Sequence, residues 1–254
     1  MLEEHIRRRQ REKPLLIMTH IVIGYPNFRE SWALARTMVE AGVDLMELQI
    51  PFSEPMADGP VILHANQKSL EGGVTVSKCF EFARELSEQV KIPLLFMSYY
   101  NILFKYGVTR FAGDTKRAGL VGAIVPDLPL EEGAEYASAM QAEGLSPIRL
   151  FAPNSTDRRM QRIAAASSGM VYCVARKGVT GQKTDFSDDV TAYLARARRA
   201  TTLPLAVGFG LKDRGDVDFL IGKADVAVVG SESLNVLNRA GLRAAGDFIR
   251  TLTR

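Results

Sequence analysis

Two carboxylates, Glu47 and Asp58, stand eleven positions apart in DLMELQIPFSEPMADGP, residues 44–60. Glu47 lies among Leu45, Met46, Leu48 and Ile50, an apolar run that reads as a buried strand. A glutamate there is costly unless it is paired, protonated or used. Pro51 and Pro55 stop the strand just after Gln49 and Ile50, and Asp58-Gly59 brings back a second acid before a helical pattern from Val61. A strand-end acid facing a loop acid suits general acid–base work. The plainer alternative is a buried acid paired to a neighbouring strand, with Asp58 capping the next helix.

The elements that must hold these acids alternate. Strand-like runs cover Leu15–Ile23, Leu45–Ile50, Leu94–Met97, Leu120–Val125, Pro147–Phe151, Met170–Ala175, Leu205–Val207 and Val226–Val229. Helical patterns lie between them at Ser31–Ala41, Val76–Val90, Glu131–Glu143, Asp157–Ala166, Val190–Ala200 and Arg214–Ile221. Gly42, Gly119, Gly144 and Gly169 each fall between a helix and the next strand, as expected of an αβ junction. Runs rich in Val, Ile and Leu imply parallel strands covered by helices. Eight such units in 254 residues predict an α/β fold, a single-domain (β/α)8 TIM barrel over 1–254, with 1–13 a short N-terminal helix. An open doubly wound sheet is the other candidate, but no GxGxxG follows the first strand.

In a barrel the chemistry sits at the C-terminal ends of the strands. Gly24-Tyr25-Pro26, the acidic loop, Ser98-Tyr99-Tyr100-Asn101, Pro126-Asp127-Leu128-Pro129 and Ala152-Pro153-Asn154 occupy such ends. Three later ends are glycine-rich: Arg176 to Gly181, Gly208-Phe209-Gly210 and Gly230-Ser231. Each alone reads as a tight turn. Together on one rim they read as a phosphate site, because glycine lets backbone N–H groups approach an anion. No Walker loop is present.

Composition excludes several classes. Hydrophobic residues make up 46% of the chain, enough for a large core, yet no run approaches a membrane span. No secretory signal is visible. The two cysteines, Cys79 and Cys173, form no metal-spaced cluster, which with the missing signal predicts a cytoplasmic protein without metal. A net charge of +3 is too weak to argue for nucleic acid, and Glu3, Glu4 and Glu12 dilute the basic stretch His5–Lys13.

The segments GYP at 24–26, Glu47 with PFSEPMADGP at 51–60, SYYN at 98–101, VPDLP at 125–129, RKGVTG at 176–181, GFG at 208–210 and GS at 230–231 resemble the tryptophan synthase α-subunit family over essentially the whole length. The resemblance implies a TIM barrel that cleaves indole-3-glycerol phosphate to indole and glyceraldehyde 3-phosphate in tryptophan biosynthesis. It implies an α2β2 complex, with no cofactor in this subunit and PLP in the β partner, which the 51–60 loop would contact. It assigns Glu47 to proton transfer, Asp58 to the indole N–H and Tyr172 to the wall of the site. Gly181, Gly210, Gly230 and Ser231 match phosphate-binding positions, the loop 176–188 matches a mobile lid, and Thr180 matches the residue that locks this lid over Asp58.

Four residues depart from the family pattern as it stands in that resemblance. Gln49 replaces a small glycine, His20 an apolar or aromatic residue, Glu54 an aspartate and Glu232 a small residue. Period-two alternation puts Gln49 on the face of Glu47, one layer nearer the mouth. Two outcomes are open: it swings aside to hydrogen-bond His20 or Tyr99 and leaves the pocket usable, or, the favoured expectation, it narrows an indole pocket, so that Gln49→Gly improves kcat/KM. His20, Gln49, Tyr99 and Asp127 are expected pocket-lining residues. Two other functions fit less well: a stand-alone lyase or divergent paralogue acting on a related phosphorylated substrate, and a non-catalytic activating partner of a β-like subunit. The retained acids argue against the last.

Overall fold

The computed structural model describes residues 1–174, 188–208 and 210–253. The chain runs α1 (Leu2–Arg9), β1 (Leu16–Val22), α2 (Phe28–Glu40), β2 (Leu45–Gln49), α3 (Pro60–Glu71), α4 (Val76–Gln89), β3 (Leu94–Met97), α5 (Tyr100–Tyr106) and α6 (Val108–Arg117). It continues with β4 (Gly122–Ile124), a 3-10 turn (Leu130–Glu132), α7 (Ala134–Ala142), β5 (Ser146–Phe151), α8 (Asp157–Ala165), β6 (Val171–Val174) and α9 (Asp188–Ala200). The last elements are β7 (Leu205–Gly208), α10 (Arg214–Leu220), β8 (Val226–Val229) and α11 (Ser231–Thr253), which is kinked at Gly241. The strands pair in sequence order, all parallel, and β8 closes on β1. This is the (β/α)8 barrel, not the open sheet.

Alternation divides the core in two. Leu16 and Met18 of β1, Leu45 of β2, Leu95 and Met97 of β3, Ala206 of β7 and Val226 and Val228 of β8 point into the barrel. Their neighbours Ile17, Met46, Leu48, Phe96, Val207 and Ala227 pack outward against the helices. Both faces of these strands are largely apolar, which is why the strands read as continuous hydrophobic runs. Gly42, Gly119, Gly144 and Gly169 all have positive φ at the helix-to-strand junctions. At Gly169 an added Cβ would also lie 2.6 Å from Ser146 Oγ, so both backbone and space demand glycine.

Two departures from the expected elements have local causes. The helix expected over Glu131–Glu143 is broken at Gly133, whose carbonyl accepts a 3.0 Å hydrogen bond from the buried Arg149 guanidinium. A Cβ at Gly133 would meet that guanidinium at 2.5 Å. The N-terminal helix ends at Arg9 rather than reaching 13, and its Leu2 and Ile6 join the interior cluster at the bottom of the barrel. Short α5 and α6, between β3 and β4, were not anticipated.

Asp44, directly before β2, fastens this bottom plug. Its buried carboxylate accepts from Ile17 N at 3.0 Å, Arg9 at 2.9 Å and Lys13 at 3.1 Å. Asp44→Ala strands the Ile17 N–H in the core and releases α1. Arg9 and Lys13 are partly exposed and regain water, so the expected cost is about 1–3 kcal/mol, read as a lower urea midpoint at unchanged m-value. No helix among the described residues is long and apolar enough to cross a membrane.

Candidate active site

Following the inward faces upward leads from apolar side chains to polar ones. Above Met18 on β1 comes His20; above Leu45 on β2 come Glu47 and then Gln49. The β1–β2 register sets His20 directly beside Glu47. The barrel mouth holds an open cavity, a concave site with a mostly apolar lining and a few convergent polar groups. Glu47, Asp58, His20 and Tyr172 are its polar wall, and Met97, Ile124, Leu150, Val174 and Val228 its apolar wall. Gly208, Gly210, Gly230 and Ser231 complete it where β7 and β8 end. A Cβ on Gly208 would fall 2.5 Å from the Tyr172 hydroxyl, so this glycine gives the tyrosine ring its room. The sequence reading placed Gly208 in a turn or an anion loop and did not foresee that packing.

The acids sit in unlike surroundings. Glu47 is buried, and its Oε2 lies 3.5 Å from His20 Nδ1. Asp58 sits on the loop, where its Oδ2 accepts a 2.7 Å hydrogen bond from Gln49 Nε2. Burial raises the Asp58 carboxyl above its ordinary pKa, against opposing pulls from His20 and from hydrogen bonds to Gln49 and Tyr99. Burial resists a charge on His20, but the Glu47 carboxylate, aided by Asp58 and Gln49, outweighs it and raises the imidazole. Burial raises the Tyr172 hydroxyl strongly, with Glu47 and Asp58 adding to it, so Tyr172 stays a neutral donor near neutral pH.

The plainer reading of the acids holds only in part. Glu47 does face a group on the neighbouring strand, His20. Asp58 caps nothing: Gly59 is the N-cap of α3, without a side-chain cap bond. His20 is not a satisfied core histidine either, since its Nε2 is buried without a hydrogen-bond partner.

Of the four expected lining residues, only His20 borders the cavity. Gln49 does not fill the mouth. It turns to Asp58 and, at 3.4 Å, to Asn66 Oδ1 of α3, because those acceptors satisfy an amide that an apolar pocket would leave unpaired. The favoured expectation of a narrowed pocket is therefore corrected: the side chain swings aside, with Asp58 and Asn66 as its partners in place of His20 or Tyr99. Tyr99 stands behind the loop, its hydroxyl accepting from Ala57 N at 3.1 Å and its ring stacked on Phe52. Asp127 holds the first turn of α5, accepting from Tyr100 N at 2.9 Å. Asn66, which the sequence reading passed over, accepts from Phe52 N at 2.9 Å and donates to Ile62 O, so it ties the acidic loop to α3. Glu232 is bound by Asn235 and Arg239, which answers its charge on its own helix. Thr180 and Gly181 lie outside the described residues. Among the described residues, no group of three or more His, Cys, Asp or Glu side chains could hold a metal ion.

The same barrel recurs in known proteins. The family described as "Tryptophan synthase alpha chain" matches residues 6–251. A tryptophan synthase alpha chain from Desulforapulum autotrophicum is 59% identical over 252 residues, covering 99% of this chain and 100% of that one. Its counterpart from Syntrophotalea carbinolica is also 59% identical, with the same coverage. A solved chain of Mycobacterium tuberculosis tryptophan synthase superposes with a TM-score of 0.94 at 30% identity, covering 99% of this chain and 96% of that chain. A match across the full barrel, in a chain whose mouth holds the two acids above an apolar wall, places this chain in the tryptophan synthase alpha chain family.

Proposed function

We infer that this chain is the lyase that cleaves indole-3-glycerol phosphate to indole and glyceraldehyde 3-phosphate in tryptophan biosynthesis. The observation that carries the reading is one cavity, in a barrel of this family, with Glu47 and Asp58 both on its wall. The chemistry needs both acids. Protonation of indole C3 makes the ring an electron sink and puts positive charge toward the ring nitrogen. A base then removes the proton of the glycerol hydroxyl next to the breaking bond. That carbon becomes an aldehyde, and the C–C electron pair returns to the ring as indole leaves. Glu47, in the interior of the barrel, is assigned both the proton to carbon and the proton from oxygen. Asp58 is assigned to the ring N–H, where an anion placed in advance stabilises the developing charge. Tyr172 is a neutral donor on the same wall, and the apolar side chains pack the ring.

The phosphate is assigned to the glycines at the ends of β7 and β8. Gly210 has φ of 66°, and Ser231 opens α11, so a glycine backbone and a helix N-terminus meet at the rim. Thr180 and Gly181 join this assignment by resemblance alone. A tryptophan synthase β subunit is the proposed partner, docking at the 51–60 loop. Met56 on that loop is 72% exposed, an apolar side chain that a partner would cover. The buried, unpaired thiols of Cys79 and Cys173 suit the cytoplasm.

The test is indole release from indole-3-glycerol phosphate by the purified chain, with and without a β subunit. Release is expected in both cases. Gly210→Asp should raise KM at least about tenfold, since it adds a like charge beside the phosphate and a side chain at positive φ. Absence of release under both conditions would remove the lyase reading.

A further inference from the structure

His20 and Gln49 stand 29 positions apart in the sequence, yet they lie on neighbouring strands of the barrel. Both point into the barrel. His20 Nδ1 faces Glu47 Oε2 at 3.5 Å, and Gln49 Nε2 donates to Asp58 Oδ2 at 2.7 Å. Gln49 also faces His20, although its Oε1 and His20 Nε2 both stop short of a full hydrogen bond. All three side chains named with Asp58 are buried: His20 is 7% exposed, Glu47 3% and Gln49 0%. Buried polar groups of this kind are retained at a cost unless they work together.

Resting on the lyase reading, we propose that His20 and Gln49 are paired positioning residues that link the two acids, His20 orienting Glu47 and Gln49 orienting Asp58. Gln49 does not line the cavity; its amide faces Asp58 and Asn66. Its second acceptor, Asn66, anchors it to α3, so the carboxylate on the loop is held from a rigid strand and helix. His20 offers Glu47 a partner across the strand pair.

Steady-state indole release by single and double variants tests the idea. Gln49→Met keeps the volume and removes the donor. It should lower kcat roughly tenfold, the scale of a modestly misplaced catalytic group, with KM within about twofold. His20→Phe should do likewise. The double variant His20→Phe/Gln49→Met should lose less than the product of the two single losses, because the pair acts as a unit. The pH profile separates orientation from mere packing. Asp58 is faced by His20 from β1, Glu47 and Gln49 from β2, Tyr99 after β3 and Tyr172 from β6. Loss of the Gln49 donor or the His20 charge removes a lowering influence, so the acid limb of kcat/KM must move to higher pH. Wild-type kcat and an unmoved limb in Gln49→Met would overturn the proposal while leaving the lyase reading intact. No indole release by the wild-type chain would overturn both. Should the variants fail to fold, a crystal structure of the unsubstituted chain with an indole-phosphate analogue decides: Gln49 bonded to Asp58 supports the role, and Gln49 turned away overturns it.

Discussion

Glu47→Gln should reduce kcat for indole release by at least about 10²-fold while leaving the barrel folded. The amide is nearly isosteric, so the 3.5 Å approach to His20 and the packing above Leu45 survive. What is lost is the exchangeable carboxyl proton. An amide can neither protonate indole C3 nor take the hydroxyl proton, and both steps are assigned to this one group. KM should change little, because the ring wall and the rim glycines are untouched. His20 lies beside Glu47 and borders the cavity, so residual activity in this variant reports how far an imidazole can substitute. Turnover near wild type in a folded Glu47→Gln chain would remove Glu47 from the mechanism.

Asp58→Asn should also cost at least about 10²-fold in kcat, for another reason. The lost element is a fixed negative charge opposite the indole N–H. An asparagine presents either a neutral carbonyl or an NH2, and the NH2 orientation would oppose the Gln49 donor that now points at Oδ2. Stability should move the other way. A carboxyl whose folded pKa is raised by burial destabilises the fold as pH rises through and beyond its unfolded value, and Asp58 is such a group. Removing that charge should leave the thermal midpoint at neutral pH unchanged or higher, the usual exchange of stability for function at an active site. A folded variant with wild-type kcat would strike Asp58 from its assigned role, and a lower midpoint would contradict the burial argument.

Much of this was legible before any coordinates. The apolar runs fell within a few residues of the strands because each strand is buried on both faces, which leaves a continuous hydrophobic signature. The glycines at 42, 119, 144 and 169 marked the junctions because a left-handed residue there is a local backbone need. Helices were less legible where a distant group intervened, as Arg149 does at Gly133. The short helices α5 and α6 present too few turns for a periodic pattern to stand out.

For the site, the sequence by itself determined which residues share the inner face of a strand. Side-chain direction has period two and needs no tertiary information, so Glu47 and Gln49 had to point the same way. It also determined that an acid would follow β2 on a loop broken by prolines. Only the tertiary structure decided what those side chains meet. The β1–β2 register brought His20 to Glu47, α3 brought Asn66 to the acidic loop, and the end of β3 brought Tyr99 behind Asp58. Those partners lie up to 42 positions apart in the chain. A glutamine beside a pocket and a glutamine bonded to a carboxylate look alike in sequence, because hydrogen-bond direction depends on acceptors supplied by other elements. That is why Gln49 read as an obstruction and proved to be a brace for Asp58.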